Sequence, residues 1–518
     1  MRTVQCEFVI VGTGAAGPVL AYHLARAGKD VVMIERGPDV PPEKMSQHET
    51  EMIGRLYKDG GAQMNTACDM FLLQGNCVGG STALTNGVCF HFPDPVLDRW
   101  ESEFNLPLDR DRLRAAERRV DSVLNVHELE RDVYNPGTTL IEDGIRAIGK
   151  EPKPFRKNFL DCVGCGYCTV GCKYGRKMHS GLTWVPMARQ HGARLLTMTE
   201  VHKLDAGPAT IRGLVCHDLE SGEKFRVEAK RYVLSCGAIN SPGVLLRSGI
   251  KGEDTVGRWV AFNVGSICFA EFPEPVDAFD GDQMCVWVDS LPEYVLEQLH
   301  NPPASFALTM PLWHEEHFHQ LDRYRYMTSM GALVATEPRG RIHHPRLPRW
   351  HEEITFQATA QELDRMRRGI DETARIFLAA GATRVFPPCA ETLIIENESD
   401  LAQLPSRFQT QKQLSGFGSS HPHGGCRMGV DAKKSVVDPE FRVWGFDNLF
   451  VCDASVFPSS LAVNPQVPIM AVADYAVSAI GGVEPPASIE DGPVAEARRR
   501  LGLPPDAPVL LSAGAPAS

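Results

Sequence analysis

The spacing of apolar residues near the N-terminus changes twice, from that of a strand to that of a helix and back. Residues 7–11 form a short, largely apolar run that ends at Gly12, which is typical of a strand buried in a parallel sheet. Residues 18–27 place their apolar side chains at helical spacing, and Gly28 is a helix stop. Residues 31–35 form a second apolar run. This order predicts a βαβ unit, the repeating element of α/β folds.

The turn between the first predicted strand and helix is rich in glycine. Its pattern is a dinucleotide fingerprint: one glycine allows a tight turn, the next lets the backbone approach a pyrophosphate, and the third lets helix and strand pack. The helix N-terminus would then face the phosphates. Glu35 ends the second strand, where a ribose 2′-hydroxyl needs an acceptor. The residues of this turn predicted to bind the cofactor are Gly12, Gly14, Ala15, Ala16 and Gly17.

Two later apolar runs, at residues 231–236 and 448–452, also read as strands that end in loops. Because they lie far apart in sequence, the cofactor domain is expected to be assembled from several segments. Between them, alternating runs at 327–336 and 353–359 predict antiparallel strands, and a helical pattern covers 360–380. We therefore predict an α/β protein with a Rossmann-like cofactor domain and an α+β substrate domain built on an antiparallel sheet.

These elements suggest a division of the chain into domains. The tail is rich in Pro, Ala and Gly, and we expect it to be loosely ordered or to act as a docking arm. The predicted parts are a cofactor domain at residues 1–264 and 418–483, a cysteine-rich insertion at 155–180, a substrate domain at 265–417 and a tail at 484–518.

Four cysteines stand close together in the insertion, as Cys162-x-x-Cys165-x-x-Cys168-x-x-x-Cys172. This is the spacing that bacterial ferredoxins use to bind an iron–sulfur cluster. A zinc site more often has two cysteine pairs separated by a dozen or more residues, so zinc and unligated thiols are the weaker alternatives. In two-cluster ferredoxins the fourth cysteine of the run ligates the other cluster. The spacing alone therefore leaves both three-iron and four-iron clusters open.

Composition narrows the class of protein. The chain has 518 residues and a formal net charge of -12, which argues against nucleic acid as a partner. Its fifteen cysteines are odd in number and mostly scattered, as expected in a reducing compartment. The longest apolar run, 467–480, contains Asp474 and falls short of the ~18 residues of a membrane span. We expect a cytoplasmic protein, not integral to a membrane, although export on a signal-bearing partner stays open.

Further motifs resemble one enzyme family, the glucose–methanol–choline (GMC) oxidoreductases. They follow that family's order over nearly the whole chain: GTGAAG at 12–17, GGST at 79–82, GAINSP at 237–242, HPHGGCRMG at 421–429, DASVFP at 453–458 and NPQVPIM at 464–470. The resemblance implies a non-nicotinamide FAD enzyme that oxidises CH–OH groups. It also implies that His421 and Asn464 face the reactive edge of the flavin.

The chemistry of the two residues agrees with that role. A neutral imidazole, with a pKa of about 6.5, suits the removal of a hydroxyl proton. Hydride would then pass from carbon to flavin N5, while Asn464 hydrogen-bonds the same oxygen. The other residues predicted to bind the cofactor are Glu35, Gly79, Gly80, Ser81, Asn86, Val201, Asp453, Ala454 and Pro465.

Two details refine the expected cofactors. Family members with a covalent histidyl–FAD bond have a histidine in the loop after the double glycine, whereas this chain has Leu84, so we expect non-covalent FAD. The cysteine run resembles the branch that includes catalytic subunits of bacterial FAD-dependent sugar dehydrogenases. That resemblance favours a [3Fe–4S] over a [4Fe–4S] cluster, and implies a cytochrome or another external electron acceptor as a partner.

Three hypotheses for function follow. The first is an FAD- and iron–sulfur-dependent dehydrogenase of an alcohol, with a sugar, amino sugar or cyclitol as substrate. The second is an oxidase of the same fold that passes electrons to O2 from a long-chain or terpenoid alcohol. The third is a non-catalytic flavin and iron–sulfur electron-transfer subunit, against which the intact His421 and Asn464 pair argues.

Overall fold

A computed structural model of the protein describes residues 2–344 and 352–510. Residues 345–351 of the predicted substrate domain and 511–518 of the predicted tail lie outside this description. The helices are α1 (Gly17–Arg26), α2 (Glu49–Leu56), α3 (Asp94–Phe104), α4 (Arg110–Leu124), α5 (Pro136–Ala147), α6 (Trp184–Gln190), α7 (Gly237–Arg247), α8 (Pro303–Thr309), α9 (His314–Asp322), α10 (Ala360–Ala379), α11 (Leu404–Arg407), α12 (Gln466–Gly481) and α13 (Gly492–Leu501).

The first sheet has the Rossmann-like arrangement that the sequence predicts. Its strands are β1 (Thr3–Val11), β2 (Val31–Ile34), β8 (Arg194–Leu196), β9 (Thr199–Ala206), β10 (Ile211–Asp218), β11 (Lys224–Leu234) and β20 (Leu449–Val451). β8, β2, β1, β11 and β20 pair in parallel, in that order, and α1 crosses from β1 to β2. β10 and β9 add an antiparallel extension to the N-terminal part of β11.

The second sheet is mainly antiparallel. Its strands are β3 (Gln63–Met64), β4 (Phe71–Leu72), β6 (Lys153–Pro154), β12 (Ala261–Glu271), β13 (Val286–Ser290), β14 (Tyr294–Leu299), β15 (Met327–Ala335), β18 (Arg384–Phe386) and β19 (Gly418–His423). At its centre β19, β12, β15 and β14 are neighbours in that order. Two small pairs complete the strands: β5 (His127–Glu128) with β7 (Arg156–Lys157), and β16 (Arg341–His343) with β17 (Glu353–Thr355).

The helix α10 covers one face of the second sheet. It begins with a capping box between Thr359 and Glu362, which satisfies N–H groups at the helix N-terminus. Its apolar residues at helical spacing join one buried cluster with side chains of the sheet, and Gly369 allows close approach to Ala332 of β15. The other face of the sheet is therefore available to line a cavity. The mixed α/β fold confirms the predicted class.

The tail differs from the loosely ordered segment expected from its composition. α13 packs near α4 and α6, and Arg498 donates hydrogen bonds to the carbonyls of Ser122 and Ala507. Asn125 exchanges hydrogen bonds with the backbone of Val509. Residues 484–510 are thus attached to the body of the protein. Among the described helices, none is both long enough and apolar enough to cross a membrane.

Candidate active site

A cavity of about 1580 Å³ is lined by residues from both sheets. Ordinary ligand pockets measure about 300–1,000 Å³, so this one has room for a dinucleotide together with a substrate. The predicted site residues that line it are Gly12, Gly14, Ala15, Ala16, Glu35, Gly80, Ser81, Asn86, Val201, His421, Asp453, Ala454, Asn464 and Pro465. Gly17 and Gly79 are the two predicted cofactor residues that lie behind its wall, packed near Gly12 and His179.

The turn before α1 needs its glycines for two different reasons. Gly12 has a φ of +106°, and a Cβ atom there would lie 2.3 Å from the carbonyl oxygen of Ser235. Gly17 has ordinary backbone angles, but its Cβ would lie 2.1 Å from the carbonyl oxygen of Gly12. A Cβ on Gly14 would meet no atom within 4 Å in the described chain. The turn is therefore tight on its protein side and open on its cavity side.

Glu35 is buried at the same end of the cavity. Its carboxylate accepts hydrogen bonds from the Thr13 N–H at 3.0 Å, the Thr13 hydroxyl at 2.6 Å and the Gly37 N–H at 2.9 Å. Burial raises the pKa of Glu35 above its usual value. An ionised carboxylate offers about four acceptor positions, so one remains for a ligand hydroxyl.

Asp453 joins the ends of β11 and β20. Its carboxylate accepts hydrogen bonds from the Gly237 N–H at 2.9 Å and the Ser241 hydroxyl at 2.5 Å, both in α7, and from the Ser455 N–H at 2.7 Å. Burial raises the pKa of Asp453. These bonds bring together two motifs more than two hundred residues apart and hold them in one wall of the cavity.

His421 lies in β19 and reaches the cavity. Burial lowers its pKa to about 4, so the imidazole is neutral over the ordinary pH range. Its Nδ1 atom is buried without a hydrogen-bond partner among the described residues. The neighbouring His423 is fully buried, stacks on Phe457 and does not line the cavity. Of the two histidines, His421 is therefore the one placed to exchange a proton with a bound molecule.

Asn464 lies in the loop before α12 and lines the same cavity. Its side chain lies close enough to the carboxyl group of Glu297 to lower the pKa of that group, against the larger opposite effect of burial. Its Oδ1 atom is buried and has no partner in the part of the chain that the structure describes. A buried polar atom without a partner is uncommon in proteins, and here it faces a cavity that can hold a ligand.

Asn263 connects these two residues and was not predicted from the sequence. Its backbone carbonyl accepts a hydrogen bond from the Ser419 hydroxyl at 2.7 Å, and that hydroxyl in turn accepts the N–H of His421 at 3.0 Å. Its side-chain amide donates to the Val463 carbonyl at 2.8 Å, next to Asn464. A buried asparagine inside the apolar strand β12 is the sequence signal that could have indicated this role.

Comparison with known proteins identifies the family. Two family models described as GMC oxidoreductase match residues 53–264 and 336–473, which together make up more than half of the chain. A third model, a NAD(P)-binding Rossmann-like domain, matches residues 10–47. The chain belongs to the GMC oxidoreductase family. The predicted resemblance is confirmed, the protein is an oxidoreductase, and the family supports FAD as its cofactor.

Relatives and a solved structure agree with this assignment. The chain is 29% identical to an uncharacterized GMC-type oxidoreductase of Mycobacterium tuberculosis, over 92% of this chain and 77% of that one. It is 26% identical to the long-chain-alcohol oxidase FAO3 of Arabidopsis thaliana (92% and 67% covered) and 24% identical to the 6'''-hydroxyparomomycin C oxidase of Streptomyces lividus (90% and 89%). The crystal structure of pyridoxine 4-oxidase from Mesorbium loti shares the fold, with a TM-score of 0.69 at 20% identity over 91% of this chain and 98% of that one.

The GMC fold does not by itself account for the cysteine-rich segment. In residues 2–344 and 352–510, no group of three or more His, Cys, Asp or Glu side chains is arranged to hold a metal ion. Cys162, Cys165, Cys168 and Cys172 are therefore not gathered into the predicted ligand set. Local partners explain part of this arrangement: the Cys162 thiol donates to Asp282 at 2.9 Å, and the Cys172 sulfur accepts the N–H of Arg176 at 3.2 Å.

Two fully buried lysines lie beside these cysteines. Lys177 donates to the backbone carbonyls of Cys168 at 2.7 Å and Thr85 at 2.5 Å, and Lys157 donates to the carbonyl of Gln283. Buried charges are normally paired with an opposite charge. Their hydrogen-bond partners in the described chain are neutral carbonyls. Although burial opposes charge on both, the nearby buried carboxyl group of Asp282 raises the pKa of Lys157, whereas burial lowers the pKa of Lys177.

Proposed function

We propose that the protein is an FAD-dependent dehydrogenase that oxidises a CH–OH group of a sugar, amino sugar or cyclitol. The observation that carries this proposal is that His421 and Asn464 line the same cavity as the dinucleotide turn, each with a buried polar atom that has no partner among the described residues. When bound in this cavity, FAD would supply a two-electron acceptor for the hydride of the alcohol. The presence of Leu84 in place of a histidine in the loop supports non-covalent attachment.

The residues of the chain would prepare the alcohol for oxidation. An alcohol releases hydride readily only as its hydroxyl proton leaves, and a neutral imidazole at His421 can accept that proton. Asn464 would orient the same oxygen through its side-chain amide. Asn263 contributes indirectly, since it fixes the strand of one residue and the loop of the other.

The lining of the cavity supports a polar substrate, but part of it is apolar and favours a second candidate function. Glu297, Asn301 and Ser266 line the cavity and can hydrogen-bond hydroxyl or amino groups. Met64 and Leu308, however, line other parts of the cavity with apolar side chains. These apolar residues, together with the long-chain-alcohol oxidase relative, favour an oxidase of a long-chain or terpenoid alcohol as the alternative.

Anaerobic reduction of the flavin tests these functions. We expect sugars, amino sugars or cyclitols to bleach the flavin absorption band of the purified protein, and simple long-chain alcohols to leave it unchanged. Admission of air should then give slow reoxidation, with little peroxide compared with turnover on an artificial electron acceptor. Bleaching by long-chain alcohols with stoichiometric peroxide would instead establish the oxidase. If no alcohol of either class bleaches the flavin, the electron-transfer subunit becomes the better hypothesis.

We also propose that the cysteine-rich segment binds an iron–sulfur cluster, [3Fe–4S] in preference to [4Fe–4S], which passes electrons to a cytochrome or another acceptor. The ferredoxin spacing supports this, as do the buried amino groups of Lys157 and Lys177, since a cluster with its thiolates carries negative charge that would favour their charged forms. Backbone N–H groups already directed at the sulfur atoms of Cys162 and Cys172 are contacts that such clusters use. Binding requires the loop to draw the thiols together.

Metal analysis of a cysteine variant tests the cluster. We expect about three to four irons and matching acid-labile sulfide per chain after anaerobic purification. Cys168→Ser should lower both to near zero, because this cysteine is central in the run and buried. Cys68→Ser, at an exposed cysteine outside the run, should keep both. Wild-type protein that contains zinc, or neither metal, would refute the cluster without affecting the flavin chemistry.

A further inference from the structure

The cavity side of the second sheet is almost free of charged groups. Strand pairing places Ile267, Gly331 and Glu297 opposite one another across β12, β15 and β14. Gly265 and Leu333, two residues along their strands, form the next row on the same face. Because alternate residues of a strand share a face, these residues all line the cavity. Glu297 is the one carboxylate among them. It stands opposite a glycine, which has no side chain to cover it.

Glu297 is a buried carboxyl group without a counter-charge. It is 8% exposed, and its Oε1 atom is buried with no hydrogen-bond partner among residues 2–344 and 352–510. In that part of the chain Asn464 is the one side chain that lowers its pKa, and no lysine, arginine or histidine pairs with it. Burial raises the pKa of Glu297 to about 8.

Another buried carboxylate that lines the same cavity has the cationic partners that Glu297 lacks among the described residues. Glu352, also 8% exposed, is paired with Lys58 at 3.5 Å and with Arg247, so its burial is compensated. A carboxylate moved out of water needs such a partner or becomes protonated. At Glu297 the described residues supply no cation, and the open cavity beside it can be filled by a ligand. The net charge of -12 also favours the approach of cations over anions.

We propose that Glu297 binds a protonated amino group of the substrate, so that the preferred substrate is an amino alcohol rather than a neutral polyol. This inference rests on the proposed function, and it narrows the substrate class of that same site. Asn464 links the two places, because it contacts Glu297 and would also orient the reacting oxygen. The ammonium group therefore lies within a few bonds of the carbon that is oxidised. It supplies the cation that the buried carboxylate lacks among residues 2–344 and 352–510.

Binding of a non-oxidisable probe tests the subsite separately from catalysis. Cyclohexylammonium and the neutral cyclohexanecarboxamide have similar size, and neither carries a hydroxyl group. By titration calorimetry of the purified flavoprotein, we expect the cation to bind at least ten times more tightly than the amide. Glu297→Gln should abolish this preference, and Glu297→Asp should retain part of it. Glu200→Gln removes a carboxylate at the dinucleotide end of the cavity and should leave the preference unchanged.

Other results of this binding experiment would contradict either the proposed subsite or the proposed function. Wild-type protein without a preference for the cation overturns the inference, even if Glu297→Gln fails to fold. So does a preference that persists in Glu297→Gln. If that variant instead loses affinity for neutral sugars and not for the cation, Glu297 acts as a protonated hydrogen-bond donor. If the cation preference depends on Glu297 but no amino alcohol bleaches the flavin, the subsite stands and the proposed dehydrogenase function fails.

Discussion

Replacement of His421 by alanine is expected to lower turnover about 100-fold or more while FAD remains bound. The reason is that His421 is the imidazole at the cavity wall, and water is a poor acceptor for the hydroxyl proton. Burial lowers the pKa of His421 to about 4. Above that pH the imidazole is neutral and therefore able to accept a proton. The measurement is steady-state turnover on a substrate found by flavin bleaching, together with the flavin content of the purified variant.

The pH profile and added imidazole separate a role in proton transfer from a structural one. In the wild-type enzyme kcat/KM should fall as the pH drops through about 4, because protonation then removes the acceptor. In His421→Ala this fall should disappear, and imidazole in the buffer should restore part of the rate. The control His319→Ala, at an exposed histidine of α9, should behave as wild type. Near-normal turnover of His421→Ala would refute the assignment.

Local signals predicted the cofactor-binding part of the fold well. β1, α1 and β2 match the predicted segments within a few residues, because a buried strand, a glycine turn and an amphipathic helix each leave a mark in consecutive residues. β11 was predicted as 231–236 but begins at Lys224, since its first half lies between β1 and the antiparallel strand β10 and is less apolar. The apolar pattern reported only the part of this strand that lies between β1 and β20, parallel to both.

The wall of the site that faces the substrate was harder to predict. His421 and Asn464 could be identified from motifs, but Glu297 became visible only through the register that sets it opposite Gly331. Register in an antiparallel sheet decides which face each side chain occupies, and a single sequence does not specify it. β19 also pairs with β12 of the second sheet, although its residues, 418–423, lie in the segment assigned to the cofactor domain. The site is built where segments distant in sequence meet.

The cysteine-rich segment shows a different limit. Spacing indicates which atoms could bind a cluster, but ligand geometry depends on the cluster itself, which orders its own loop when it binds. The charges of Lys157 and Lys177 could not be assigned to this segment from the sequence, because Lys157 precedes the run and Lys177 follows it. Their burial next to the cysteines became apparent only when both ends of the loop were placed in space.

A pair of glycine variants in one turn should give opposite kinds of defect. Gly17→Ala places a Cβ 2.1 Å from the carbonyl oxygen of Gly12, so α1 must move away from β1. Overpacking against backbone of this kind should cost about 3 kcal/mol, the upper part of the usual range. We expect a clearly lower midpoint of thermal unfolding, even without cofactor, and little bound FAD. Flavin absorbance relative to protein absorbance and thermal melts of the apo and holo forms measure both effects.

Gly14→Ala is the matched control, because its Cβ meets no protein atom within 4 Å in the described chain and its φ lies outside the left-handed region. The apo form of this variant should unfold at the wild-type temperature. It should nevertheless bind FAD poorly, since the added methyl group occupies the space through which the backbone approaches the pyrophosphate. Normal FAD content in Gly14→Ala would mean that the pyrophosphate does not pass this turn. Normal stability of Gly17→Ala would mean that the helix and strand are packed less closely than the structure shows.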